Sequence, residues 1–230
     1  MRLSIVIPAL DEAAVIGGCL EALAPLRARG HEVIVVDGGS TDGTPEIARP
    51  LCDRVVSAPR GRAAQMNAGA RSAMGSALVF LHADSRLPPH AEKQILGSLE
   101  KHLWGRFDVE IDGRHPFLKV IAWSMNLRSR LTGIATGDQA IFVRRGAFGG
   151  FPEIALMEDV AFCKAMKQRG PPACLRARVR TSGRRWESRG VLRIVLLMWR
   201  LRLMYFLGAR PDDLARLYRG EGRDPCGYRG

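Results

Sequence analysis

The sequence predicts an α/β protein with a mostly parallel central sheet and helices on both faces. Three observations lead there. Residues 3–8, 32–37 and 78–81 are short, nearly unbroken apolar runs, the pattern of strands buried on both sides. Segments of helical period separate these runs. Acidic or histidine residues follow each run, at the strand ends where open α/β sheets bind ligands.

The elements follow in order. After the first strand, Val15, Ile16, Cys19, Leu20 and Leu23 recur at helical spacing, with Asp11 as the expected cap. The second strand, 32–37, runs into the turn Gly38-Gly39-Ser40-Thr41-Asp42-Gly43, and Thr44-Pro45-Glu46 opens the next helix. Residues 54–57 form a third strand and 63–74 a helix. The central strand, 78–81, stops at His82 and Asp84, and Pro88-Pro89 opens the helix after it. In the second half, 106–111 alternates like an exposed edge strand. A helix is expected over 117–131, a strand over 139–143, a helix over 158–169 and a last strand over 174–181. A long apolar helix covers 191–207, and Pro211 starts a short final one.

Composition bounds the function. The 230 residues are 47% hydrophobic, enough for a sizeable core, and the net charge of +12 suits anionic partners. Five cysteines are scattered without CxxC spacing, which argues against a disulfide framework or zinc site and for a reducing cytoplasm. The first strand begins at once, so no signal peptide is expected. Neither GxGxxG after strand one nor GxxxxGK[ST] is present, which removes the dinucleotide and P-loop readings.

Several groups have the right chemistry. Asp11 and Glu12 end strand one, where they either cap a helix or serve a ligand. Asp37 ends strand two, placed to accept hydrogen bonds from a ribose or a base edge. Asp42 does the same or satisfies the turn backbone. Arg60-Gly61-Arg62 sets two guanidinium groups at a helix start, either as a phosphate or base clamp or as solvated arginines around a turn. Asp84 is a carboxylate able to hold Mg²⁺ or Mn²⁺ while substrate phosphates supply other oxygens. His82 either adds a nitrogen ligand, favouring Mn²⁺, or hydrogen-bonds a phosphate. Glu158 and Asp159 open a helix, as dipole compensation or as a general base facing an acceptor. Arg184-Arg185-Trp186 joins cations to an indole, suited to phosphate contact and sugar stacking.

Taken together, these residues resemble a family 2 glycosyltransferase of the A-type fold. The matching order is Pro8-Ala9-Leu10-Asp11-Glu12, Asp37 with Ser40, Thr41 and Asp42, Asn67-Ala68-Gly69, Leu81-His82-Ala83-Asp84, Glu158-Asp159 and Arg185-Trp186. Within that family the chain resembles the arsenosugar-biosynthesis glycosyltransferases, also labelled radical-SAM/selenodomain-associated transferase 2. That narrower likeness rests on residues 61–67, 137–142, 156–159 and 182–186.

The resemblance implies a nucleotide-diphospho-sugar donor, a divalent cation (Mg²⁺ or Mn²⁺) and an inverting displacement. It assigns the donor to Pro8, Leu10, Glu12, Asp37, Arg60, Gly61, Arg62 and Asn67, with His82, Ala83 and Asp84 beside the diphosphate. Asp84 becomes the metal ligand and Asp159 the base. Gly137, Asp138, Gln139, Glu158, Arg185 and Trp186 serve the acceptor or diphosphate. The usual Asp-x-Asp is His82-x-Asp84 here, leaving one carboxylate, and the processive Gln-x-x-Arg-Trp is Ser182-x-x-Arg185-Trp186. Transfer of one sugar, not polymerisation, is therefore expected.

The implied layout is one A-type glycosyltransferase domain over 1–188. Residues 1–104 form its nucleotide-sugar half and 105–188 its acceptor half. C-terminal helices follow over 189–220, then a flexible tail over 221–230. Helix 191–207 carries Arg193, Arg200 and Arg202, each costing ~2.5–3.5 kcal/mol near a bilayer centre, so it is not expected to span. Packing on the domain, homodimer contact and peripheral contact with an anionic bilayer remain as readings, the last placing the protein at the inner membrane face. Two rivals are weaker. A nucleotidyltransferase needs a glycine-rich basic loop after strand one, but Ala9-Leu10-Asp11-Glu12 is acidic. A nucleic-acid-binding module needs interleaved aromatics, which are 7% of the chain, so no nucleic-acid partner is expected.

Overall fold

The computed structural model describes residues 1–219, apart from the side chains of Arg185, Ser188, Arg189 and Arg219. The expected tail at 221–230 lies outside the described residues. Among the described residues eight strands form one sheet: β1 (Leu3–Ala9), β2 (Glu32–Asp37), β3 (Arg54–Ser57), β4 (Ala77–Phe80), β5 (Ser85–Arg86), β6 (Trp104–Asp112), β7 (Phe142–Arg144) and β8 (Ala173–Ser182). Their order across the sheet is β3-β2-β1-β4-β7-β6-β8-β5. The half containing β3, β2, β1 and β4 is wholly parallel, as short apolar strands joined through helices require. Strand β7 enters antiparallel to both neighbours, β4 and β6.

Alternation along the strands feeds two cores. Ile5, Ile7, Val33, Val35 and Val79 point to one side, against α1 (Ala13–Ala28) and α4 (Ala91–Leu99). Val6, Ile34, Val36, Leu78 and Phe80 point to the other, against α3 (Arg62–Ser72) and α6 (Glu158–Lys167). Burial on both faces is why these runs read as apolar without a gap. Gly69 of α3 lies so close to β1 and β2 that a Cβ there would overlap Val6 and approach Val36 Cγ2 at 2.8 Å. The short α2 (Thr44–Ala48) completes the first half. Outside the sheet, α5 (Phe117–Thr132) packs on β6, and α7 (Arg184–Arg189), α8 (Val191–Phe206) and α9 (Pro211–Arg219) follow in sequence.

Three expectations need correction. Residues 106–111 are not an exposed edge. Strand β6 lies between β7 and β8, and Arg106 is 1% exposed. Its polar alternation comes from a buried charge group instead: Arg106 pairs with Asp108, which also binds Arg130 of α5 at 2.6 Å. The strand expected over 139–143 begins three residues later. Residues Gly137–Gln139 form a 3₁₀ turn, and Ala140 adopts a positive φ of 43° before β7 starts. Helix α4 starts at Ala91, after His90 at φ 56°, because Ser85 and Arg86 first pair with β8.

The buried charge group generates a stability prediction. Asp108→Ala leaves Arg106 buried without its partner and should cost about 3–5 kcal/mol. Urea unfolding measures it, and a loss below about 1 kcal/mol would show the pair to be dispensable.

Candidate active site

The loops at the carboxyl ends of β1 and β2 are laced together by side chains. Asp11, at φ 52°, does not cap α1: its Oδ1 accepts the Thr41 amide at 2.9 Å, and its own amide donates to Ser40 Oγ at 2.9 Å. The cap comes from across the turn. Asp42 Oδ2 accepts the Ala13 amide at 2.9 Å, while Oδ1 takes the Thr44 amide and hydroxyl. The Thr44 hydroxyl, then the Ala13 amide, lowers the Asp42 pKa. Asp37 accepts the amides of Gly39 (3.0 Å) and Ser40 (3.2 Å), so its carboxylate also shapes the turn after β2. Behind both loops, Gln65 of α3 donates to the carbonyls of Ala9 (2.7 Å) and Val36 (2.9 Å).

These struts hold Glu12 toward the end of β4. Burial, then the negative charge of Asp84, raises the Glu12 pKa, and Arg184, His82 and Arg62 pull it down. Arg184 of α7 approaches Glu12 to 3.6 Å. Asp84 itself has two weak hydroxyl neighbours on Oδ1, Ser85 at 3.3 Å and Thr181 of β8 at 3.5 Å. His82 Nδ1 lies 3.2 Å from Asp138 Oδ1. Gly137 is required beneath it, because a Cβ there would overlap the imidazole.

The N-terminus of α6 closes the opposite side. Met157, at φ 71°, turns the chain so that Glu158 and Asp159 face inward. Asp159 accepts the Gly137 amide at 3.2 Å and the Val160 amide at 2.7 Å. Burial raises the pKa of both carboxyls, and for Glu158 the neighbouring Asp159 adds to it. Desolvation pulls the Arg62 guanidinium down, but Glu158 and Asp138 above all outweigh it and leave its pKa raised. Pro8, His82, Glu158 and Asp159 line one small cavity of about 10 Å³, roughly one water in size. Thus the ends of β1 and β4 and the start of α6 meet.

Not every expected residue faces this space. Ala83 is 3% exposed and packs in the core. Gln139 is fully buried, its amide bound to Ser129 Oγ at 3.1 Å as a strut under α5. Asn67 spends both amide ends on the Phe151 backbone, at 2.8 and 2.9 Å, and so positions the loop before α6. Trp186 packs with Val109, Ile121 and Val191. The side chain of Arg185 lies outside the described residues. Arg60 and Gly61 are exposed at the start of α3, and Leu10 is half-buried beside Asp11.

One residue was missed. Arg128 of α5 has Nε and Nη2 buried without a hydrogen-bond partner, and the charge of Asp159 counters the lowering of its pKa by burial. Its signal was a cation continuing the otherwise apolar helix face of Leu118, Ile121, Ala122 and Met125.

Comparison with known proteins places this geometry in context. Residues 4–156 match the model of the family described as glycosyl transferase family 2. A PGL/p-HBAD biosynthesis glycosyltransferase of Mycobacterium bovis is 40% identical over 166 residues, covering 64% of this chain and 60% of that protein. The chain thus spans less than two thirds of that relative's length. Among solved structures, S. aureus TarS in complex with UDP-GlcNAc superposes with a TM-score of 0.63 at 21% identity, covering 79% of this chain and 58% of that one. The mannosyltransferase PcManGT from Pyrobaculum calidifontis, in complex with GDP-Man and Mn²⁺, gives 0.60 at 22% identity, covering 78% and 56%. These likenesses show a shared fold. With the family pattern matched over well more than half of its residues, the chain belongs to glycosyl transferase family 2.

Proposed function

We propose that this chain is a metal-dependent, inverting glycosyltransferase that moves one sugar from a nucleotide-diphospho-sugar to a hydroxyl acceptor. The carrying observation is the shared cavity of Pro8, His82, Glu158 and Asp159. It joins the strand ends that would hold a donor to a buried carboxylate able to take a proton. Solved relatives of the same fold bind UDP-GlcNAc, or GDP-Man with Mn²⁺, which supports the donor class.

The chain's residues fit a hard divalent cation. Asp84 and Glu12 are close enough to repel, an arrangement that a cation would relieve. Among the described residues no group of three His, Cys, Asp or Glu is arranged to hold a metal ion by itself. Asp84 would then hold the ion with donor phosphates and water completing its oxygen shell. Such an ion supplies positive charge against the departing diphosphate. Arg62, exposed at the start of α3, adds a guanidinium under the influence of Glu158 and Asp138.

Asp159 receives the acceptor proton in this reading. The Gly137 amide orients its carboxylate, and burial makes it more basic than an ordinary aspartate. A base across from the leaving group inverts the anomeric carbon. The acceptor is a small polar molecule or a lipid; the resemblance carried by residues 61–67 and 137–142 supports arsenosugar biosynthesis as its setting.

Asp84→Ala should remove the dependence of donor binding on Mn²⁺ in calorimetry; an unchanged dependence would place the metal elsewhere. Asp159→Asn should keep donor affinity and lower transfer by roughly 10²–10⁴-fold. Because burial raises the Asp159 pKa, acid protonates the base early. The acid limb of the transfer rate should therefore lie above the usual aspartate value of about 3.9. Transfer that persists at full rate below that value would reject Asp159 as base.

A further inference from the structure

Ten of the fourteen exposed large hydrophobic side chains among the described residues lie on α5 and α8. On α8, Leu192, Leu196, Trp199, Leu203 and Phe206 repeat at steps of four and three, one continuous stripe. On α5, Val120, Trp123, Leu127 and Leu131 form a second stripe. Trp123 is 64% exposed and Trp199 71%. The opposite faces of both helices are already used. Leu118, Ile121 and Met125 of α5 share a cluster with Val191 of α8, and Leu201 of α8 packs on Met157 and Leu214.

The charge pattern selects what covers the stripes. The two helices carry Lys119, Arg128, Arg130, Arg193, Arg200 and Arg202, and no aspartate or glutamate. Lys119, Arg193 and Arg200 are exposed beside the apolar residues. A twofold pairing of this face with its copy would bring like charges together, with no acid on either helix to meet them. An anionic bilayer accepts both features at once: apolar side chains and indoles enter the interface while the cations meet lipid phosphates. No helix among the described residues is long and apolar enough to cross the membrane.

We infer that the outer faces of α5 and α8 seat this protein on an anionic lipid surface. The surface belongs to the acceptor side, since Leu201 packs on the residue preceding Glu158 and Asp159, and α5 carries Arg128. Resting on the transferase reading above, this arrangement favours an acceptor hydroxyl carried by an amphiphile.

Flotation of the full chain with vesicles tests it. The protein should float with phosphatidylcholine–phosphatidylglycerol vesicles at low salt, and about tenfold less with phosphatidylcholine alone or at high salt. Trp123→Ser with Trp199→Ser, and separately Arg193→Glu with Arg200→Glu, should each lower binding by about tenfold or more. Melting by circular dichroism should be unchanged for both pairs. Protein that stays at the bottom with anionic vesicles at low salt would overturn the inference. So would a dimer in solution that the tryptophan pair dissolves while vesicle binding is absent. Donor hydrolysis without vesicles is read in parallel: its loss with flotation intact would reject the transferase reading and leave the membrane surface standing.

Discussion

The structure depends on holding like charges together in a partly buried cleft. Glu12, Asp84, Asp138, Glu158 and Asp159 influence one another's ionisation within it or crowd around the same cations. In a chain of net charge +12 such a concentration of acid is local and has to be built. Arg62, Arg128 and Arg184 bracket the acids, while backbone amides at Gly137 and Val160 fix Asp159. An anionic cleft edged by guanidinium groups suits a ligand with negative charge at one end and a neutral, hydroxylated part at the other. In the proposed reading a cation would mediate between Asp84 and a diphosphate, because the two would otherwise repel.

The parallel half of the sheet was legible in the sequence for a simple physical reason. Strands covered on both faces are apolar throughout, and their polar successors mark the carboxyl ends. Residues 3–9, 32–37 and 77–80 follow that rule, so the gathering of Glu12, Asp37 and Asp84 at one sheet edge could be anticipated. The second half resisted because its signals were local compromises. Arg106 and Asp108 alternate with apolar residues as solvent-facing ones would, yet they neutralise each other inside the protein. Gln139 and Asn67 occur in runs that resemble donor-binding motifs, and their amides are consumed by Ser129 and Phe151. Whether a polar side chain serves a ligand or the backbone depends on partners ten or more residues away, which spacing alone cannot reveal.

The C-terminal helices tie the site to the outside of the molecule. Leu201 buttresses Met157, whose positive φ aims Glu158 and Asp159 into the cleft. The same helix turns its unpartnered face outward, and α5 does likewise while sending Arg128 inward. Both helices are therefore two-sided, one side packed toward the cleft that holds Asp159 and the other left apolar and basic. That coupling explains why a segment apolar enough to suggest a membrane span carries three arginines.

A crystal of the protein soaked with UDP-glucose and Mn²⁺ tests the central claim most directly. The account predicts an anomalous manganese peak bridging the Asp84 carboxylate and the diphosphate, with the Asp159 carboxylate on the far side of the anomeric carbon. Nucleotide bound with manganese away from Asp84, or with Asp159 on the diphosphate side of the sugar, would contradict it.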